Sequence, residues 1–230
     1  MLEGYLLVDK PMNWTSFDVV NYVRKLISSK LNIKPKTIKV GHSGTLDPMA
    51  TGLLILLIGK KYTSKANQFI KKDKVYDVQL KLGYQSASFD LETNPLKVSN
   101  RRPTYQNVQK KIDMFVGETI QTPPVYSAKK INGKRLYEFA RKNQKPLIKP
   151  QNIKVYWIKK LRYEYPFIEF RIKVSSGTYI RSLVSDIGIK LKTGALMTRL
   201  RRVQIGNFDL KKSLEINNLT YDDIVNNILI

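Results

Sequence analysis

A glycine-rich segment, GHSGTLDPMATG (41–52), runs straight into an unbroken aliphatic stretch, LLILLI (53–58), and no other feature constrains the fold of this chain as tightly. An aliphatic run with no polar interruption should be buried, and it falls far short of the ~20 residues needed to cross a bilayer. On the other side, TIKVG (37–41) reads as a strand. The glycine-rich segment is therefore a loop anchored at both ends.

The rest of the chain alternates between strand-like and helix-like patterns. GYLLVD (4–9) reads as a short strand, and Thr15 or Ser16 caps a helix with Phe17, Val20, Val23 and Ile27 on one face. In KVYDVQLKLG (74–83), Tyr76, Val78, Leu80 and Leu82 share one face of a strand opposite Val75, Asp77, Gln79 and Lys81. A polar interval (86–103) precedes a helix bearing Tyr105, Val108, Ile112 and Phe115. A Pro-Pro loop then enters another helix. IKVYWIKKLRYEY and FIEFRIKVSS suggest a hairpin, TYIRSLVSDIGIKL a helix, MTRLRRVQIGNF a strand, and the chain ends in a short helix. The fold class is α+β, with no internal repeat and no low-complexity linker.

Composition removes several kinds of chemistry. With no cysteine and one histidine, disulfides, thiolate nucleophiles and the usual zinc clusters are excluded, so no metal site is expected. Glu3 and Asp9 bracket the first apolar stretch, which therefore lacks the basic start and long apolar centre of a signal peptide; a cytoplasmic protein with no membrane association is expected. Forty-one Lys and Arg against eighteen Asp and Glu leave a formal charge of +23, which points to a polyanionic partner such as nucleic acid.

Within the anchored loop, Asp47 stands immediately before Pro48, whose ring restrains the chain, while Gly41, Gly44 and Gly52 allow close backbone approach by a ligand. Such a loop presents one carboxylate rigidly; read alone, it could equally be an Asx-type turn. His42, Ser43 and Asp47 bring together the residue types of a serine hydrolase. However, G-x-S-x-G is broken by Thr45, and a triad assembles distant residues rather than near neighbours.

The segment KVGHSGTLDPMATGLL resembles the signature of the TruB-type tRNA pseudouridine synthases, which the dyskerin-type RNA-guided enzymes share. Further motifs agree in order: LLVDKP with Trp14, Ser16 and Asp18; the K-x-Y strand KVYDVQLKLG; TPPVYSAKKINGKRLYEFAR; SSGTYIRSLVSDIG; and LRRVQIGNF. The resemblance implies a pseudouridine synthase fold, with a central, mostly antiparallel mixed sheet flanked by helices and loops. It implies a cofactor-free isomerisation of uridine to pseudouridine at the T-loop uridine of tRNA, named uridine 55. By the same resemblance Asp47 is the catalytic aspartate, Tyr76 lies against the target base, Arg181 pairs with the aspartate and Leu200 lines the base pocket. His42 meets the RNA and Tyr179 lies near the pocket.

A carboxylate can act on the sugar as nucleophile or as base, and a neighbouring guanidinium would keep it ionised. Lys129, Lys130, Arg135 and Arg202 are candidate phosphate contacts. Lys10 and Lys74 are candidates too, or else supports for the first motif and the K-x-Y strand. Residues 1–208 are expected to form the catalytic domain and 209–230 a short tail without a PUA domain. A monomer acting on the T-arm of tRNA without a guide RNA is expected. A non-catalytic RNA-binding protein or tRNA-folding chaperone on the same fold is the rival reading.

Overall fold

The computed structural model describes every residue except Met1, Ala128, Asn132, Asn143 and Lys145, and describes the backbone alone for Lys130, Arg135, Ala140 and Arg141. The chain divides between two units, Met1–Tyr76 with Leu200–Ile230, and Asp77–Arg199.

In the first unit, strand β1 (Gly4–Lys10) leads to helix α1 (Ser16–Lys30), whose start is fixed by a capping box. The Thr15 hydroxyl accepts from the Asp18 N–H, and the Asp18 carboxylate accepts from the Thr15 N–H. The buried stripe of α1 is Ser16, Val19, Val20, Val23 and Ile27. Phe17, expected on that face, is instead exposed, with the Arg24 guanidinium 5.9 Å from its ring centre. At about 100° per residue it falls outside the stripe centred on Ser16 and Val23, and Val19 fills the place instead.

The strand expected over 37–41 starts later, as β2 (Val40–His42). Pro35 opens a 3₁₀ turn in which the N–H groups of Thr37 and Ile38 donate to Lys34 O and Pro35 O, so those residues are not free to pair as a strand. Strand β3 (Thr51–Ile58) pairs antiparallel with both β2 and β1. It explains the unbroken aliphatic run, because both its faces are covered. Leu54, Leu56 and Ile58 join Leu6, Val8 and the α1 stripe in one core. Leu53, Ile55 and Leu57 join Leu7, Tyr62 and Phe69 in another. The latter aromatics come from two short helices, α2 (Lys60–Thr63) and α3 (Ala66–Ile70). Strand β4 (Lys74–Leu82) follows, with Tyr76, Val78, Leu80 and Leu82 buried as the alternation predicts.

In the second unit a small hairpin, β5 (Tyr84–Gln85) with β6 (Leu96–Lys97), precedes α4 (Tyr105–Asp113), which buries Val108 and Ile112 but leaves Tyr105 largely exposed. Strand β7 (Gly117–Gln121) comes next. The Pro-Pro segment reaches its helix through a second small hairpin, β8 (Lys130–Ile131) and β9 (Lys134–Arg135), and then forms α5 (Leu136–Arg141). The expected long hairpin is β10 (Gln151–Glu164) and β11 (Phe167–Val174), and β4, β11, β10 and β7 lie side by side in that order. Helix α6 (Ile180–Lys190) and strand β12 (Ala195–Ile205) follow.

Back in the first unit, β12 pairs parallel with β3 through Arg201 and Arg202, and antiparallel with β13 (Phe208–Asp209). Residues 209–230 are more than a tail. Strand β14 (Leu214–Glu215) pairs parallel with β1, and Ile216, Leu219 and Ile224 of the segment ending in α7 (Tyr221–Asn227) are buried in the α1 core. Parallel and antiparallel pairs together make the α+β architecture that the sequence pattern implied, with the mixed, mainly antiparallel sheet that the family resemblance implied. Among the described residues no helix is long and apolar enough to cross a membrane.

Candidate active site

In the first unit, the loop carrying Asp47 is tethered from several directions. At its start, Ser43 N–H donates to Ile55 O (3.0 Å), and inside it Ala50 N–H donates to Asp47 O (3.0 Å). Ser16 at the head of α1 exchanges hydrogen bonds with Leu46: its Oγ accepts from the Leu46 N–H (2.8 Å) and donates to the Leu46 carbonyl (3.2 Å). Pro48 O accepts from Asn13 N–H (2.9 Å) and from Lys10 Nζ (3.2 Å).

Lys10 is fully buried, and its ammonium also donates to Pro11 O (2.8 Å) and Trp14 O (2.6 Å). This corrects the expectation of an RNA contact: three backbone carbonyls take its donors, leaving none for a phosphate. Burial pushes its pKa down to about 8, although the Asp47 carboxylate pulls the other way. Lys74 is corrected because it too is buried, with two of its three donors taken by carbonyls. It donates to Ile70 O and Lys72 O (2.6 Å each), closing the C-terminal end of α3, and burial together with the Arg202 charge lowers it to about 8.

Arg202 is the third correction. Only 1% exposed, it donates through Nε to Leu53 O (2.7 Å) and through Nη2 to Gly44 O (3.1 Å), so it braces both ends of the Asp47 loop from inside. Burial works against its charge, while a hydrogen bond with Tyr76 and the Asp47 carboxylate favour it. Its main chain lies against Gly52, whose φ is +103°; a Cβ there would sit 2.3 Å from Arg202 O, so only glycine fits. Tyr76 and Leu200 are also buried in this unit.

His42, half-buried on β2, accepts the Gly44 N–H at Nδ1 (3.3 Å), which leaves its proton on Nε2. Burial, then the Arg202 charge, hold it below the usual histidine range and thus neutral at pH 7. Ser43 is fully buried, with its hydroxyl unpartnered among the described residues. A hydrolytic nucleophile needs access to substrate, so the hydrolase alternative loses its central residue.

In the second unit, Arg181 on the first turn of α6 is buried and pre-ordered. It donates to Ser88 O (3.2 Å) and Tyr126 O (2.7 Å) and pairs with the Asp90 carboxylate at 3.4 Å. Asp90 is fully buried and went unnoticed in the sequence, because it lies in a polar interval with no periodicity to mark it as interior. Tyr179, half-buried, is the N-cap residue of α6. Its N–H donates to Gln121 Oε1 (2.8 Å) and its carbonyl accepts from Gln121 Nε2 (3.0 Å), so Gln121 caps the helix in place of a local side chain. Lys129 donates to Gln151 Oε1 (2.9 Å). The side chains of Lys130 and Arg135 lie outside the described residues.

The braced loop, with its single carboxylate close to a buried guanidinium and a buried tyrosine, coincides with known protein families. Residues 29–180 match the TruB family pseudouridylate synthase (N-terminal domain), and residues 181–226 match the tRNA pseudouridylate synthase B C-terminal domain. The chain belongs to the TruB family of pseudouridylate synthases. A TruB relative from Clostridium novyi (strain NT), named tRNA pseudouridine synthase B, is 43% identical over 97% of this chain and 74% of its own length. One of the same name from Protochlamydia amoebophila is 41% identical over 95% of this chain and 81% of its own. Among solved structures, a chain of a Cbf5-Nop10-Gar1 complex superposes with a TM-score of 0.70 at 30% identity, covering 94% of this TruB-family chain. This chain spans about half the length of that one (53%).

Proposed function

We propose that this enzyme isomerises uridine to pseudouridine in tRNA, at the T-loop uridine named 55, with Asp47 as its essential carboxylate. The observation that carries the proposal is the immobilised Asp47 loop, held by Ser16, Lys10 and Arg202 within a chain whose curated relatives are named tRNA pseudouridine synthase B. The reaction breaks the bond from C1′ to N1, rotates the freed uracil and forms a bond from C1′ to C5. C5 gives up its proton and N1 gains one, so no other reactant is consumed. Asp47 acts on the sugar, as nucleophile or as base.

The target base must first leave its stack. Stacking on Tyr76 would return ~1–3 kcal/mol of that cost, with Leu200 lining the pocket. His42, neutral and with an N–H at Nε2, supplies a donor to the RNA, and Tyr179 stands by the substrate. We assign Arg181 to stabilising the Asp47 carboxylate; its ties to Asp90, Ser88 and Tyr126 mean that little ordering is left to do on binding. The protein is proposed to act as a monomer on the T-arm without a guide RNA.

Asp47→Asn is expected to abolish pseudouridine formation in unmodified tRNA while leaving RNA affinity close to that of the parent protein. Undiminished product would overturn the assignment and favour an RNA-folding or binding role.

A further inference from the structure

We infer that Arg202 is a positioning residue for the reaction: a buried guanidinium that fixes the Asp47 loop at both ends and sets the electrostatic field in which Asp47 and Tyr76 work. The inference rests on the reading of Asp47 as the catalytic carboxylate.

A guanidinium does not lose its proton in a protein, and burying one costs several kcal/mol unless the site compensates. Arg202 is nonetheless 1% exposed. Its two carbonyl partners, Gly44 O and Leu53 O, bracket the carboxylate, so one planar group joins the ends of a ten-residue arc (44–53) at 3.1 and 2.7 Å. Its main chain lies against Gly52 so closely that no side chain fits there. A stitch between two carbonyls needs only N–H donors, which a neutral amide could supply. The charge must be balanced by something else; the Asp47 carboxylate does this, and a hydrogen bond with Tyr76 helps to hold it.

Among the described titratable groups of this unit, Lys10, Lys74 and His42 feel Arg202, and its charge lowers the pKa of all three. Arg202 is thus the common electrostatic neighbour of the catalytic carboxylate, the base-facing tyrosine and the loop histidine. Strand parity supports the placement, since Arg202 and Leu200 are two residues apart on β12 and share a face, whereas Arg201 points to the opposite side and pairs with Asp9.

Because His42 is the only histidine, its imidazole proton gives an unobstructed NMR titration. Arg202→Gln keeps amide donors and removes the charge; Arg202→Lys keeps the charge and loses the fork. In Arg202→Gln, kcat is expected to fall about 100-fold, the scale of a small misplacement of a reacting group, with tRNA affinity little changed and the His42 pKa moved upward. Arg202→Lys should hold the His42 pKa near its original value and keep more of kcat than Arg202→Gln.

The inference is overturned by parental kcat in Arg202→Gln, or by a loss confined to tRNA affinity, which would mark a phosphate contact. It is also overturned if both variants lose kcat equally while the His42 titration stays put, which would mark a stitch without electrostatic effect. Should Arg202→Gln fail to fold, as judged by its melting transition, Arg202→Lys decides alone. A lowered kcat at parental tRNA affinity then supports the inference, and a parental kcat overturns it. Absence of pseudouridine formation by the parent protein would instead defeat the reading of Asp47 on which this rests.

Discussion

Each ammonium that leaves water must find oxygen for its donors, and Lys10 and Lys74 find it in carbonyls at the turns they close. Both amines titrate near 8 in the folded protein against 10.5 for an ordinary lysine. Below pH 8 both are charged in the folded and unfolded chains, and the burial penalty is fully present. Between about 8 and 10.5 the unfolded chain holds protons that the folded one has released, so folding stability gains from these groups as pH rises. Urea midpoints recorded across that window should climb less in Lys10→Met than in the parent protein. An equal or steeper climb in the variant would show that Lys10 keeps its ordinary pKa. The same residues show where sequence reasoning stopped. A lysine next to Asp9 or Asp73 looks the same in sequence whether it points outward or closes a turn, and Asp90 carries no pattern that betrays its burial against Arg181.

At the level of elements, local chemistry was a good guide wherever it was self-contained. The T-S-F-D start of α1 encodes both halves of its capping box, and the structure contains both. Thr15→Ala should therefore cost about 1 kcal/mol, read as a lower urea midpoint with an unchanged slope. A loss well below this would mean that the Ser16 to Leu46 hydrogen bonds alone hold the helix start. The alternation in β4 and the aliphatic run of β3 were equally legible, since each follows from how many faces are covered. The misreadings sit at element edges. Phe17 lies just off the α1 stripe, and the start of β2 was displaced by a 3₁₀ turn that competes for the same N–H groups.

For the molecule as a whole, the formal charge of +23 conceals a division of labour. Lys10, Lys74, Arg181 and Arg202 are interior, and Arg201 is occupied by Asp9, so phosphate binding falls to other cations. From Arg24 to Lys72 eleven basic residues stand against one acid, Asp47, and from Lys129 to Arg162 twelve stand against one, Glu138, so two stretches of the chain are strongly basic. If six to ten of these charges meet phosphate, raising salt from about 50 to 200 mM should weaken tRNA binding ~10³- to 10⁵-fold on the duplex scale, and less for single strands. Affinity that ignores salt would refute a phosphate-driven complex. Residue order by itself determined the α+β class, the anchored loop with its one carboxylate and the family resemblance, because these depend on neighbours along the chain. Only the tertiary structure decided which cations are interior, that Arg202 braces the Asp47 loop, and that residues 209–230 complete the first core. Burial is set by what packs from elsewhere in the chain, and no local pattern records that.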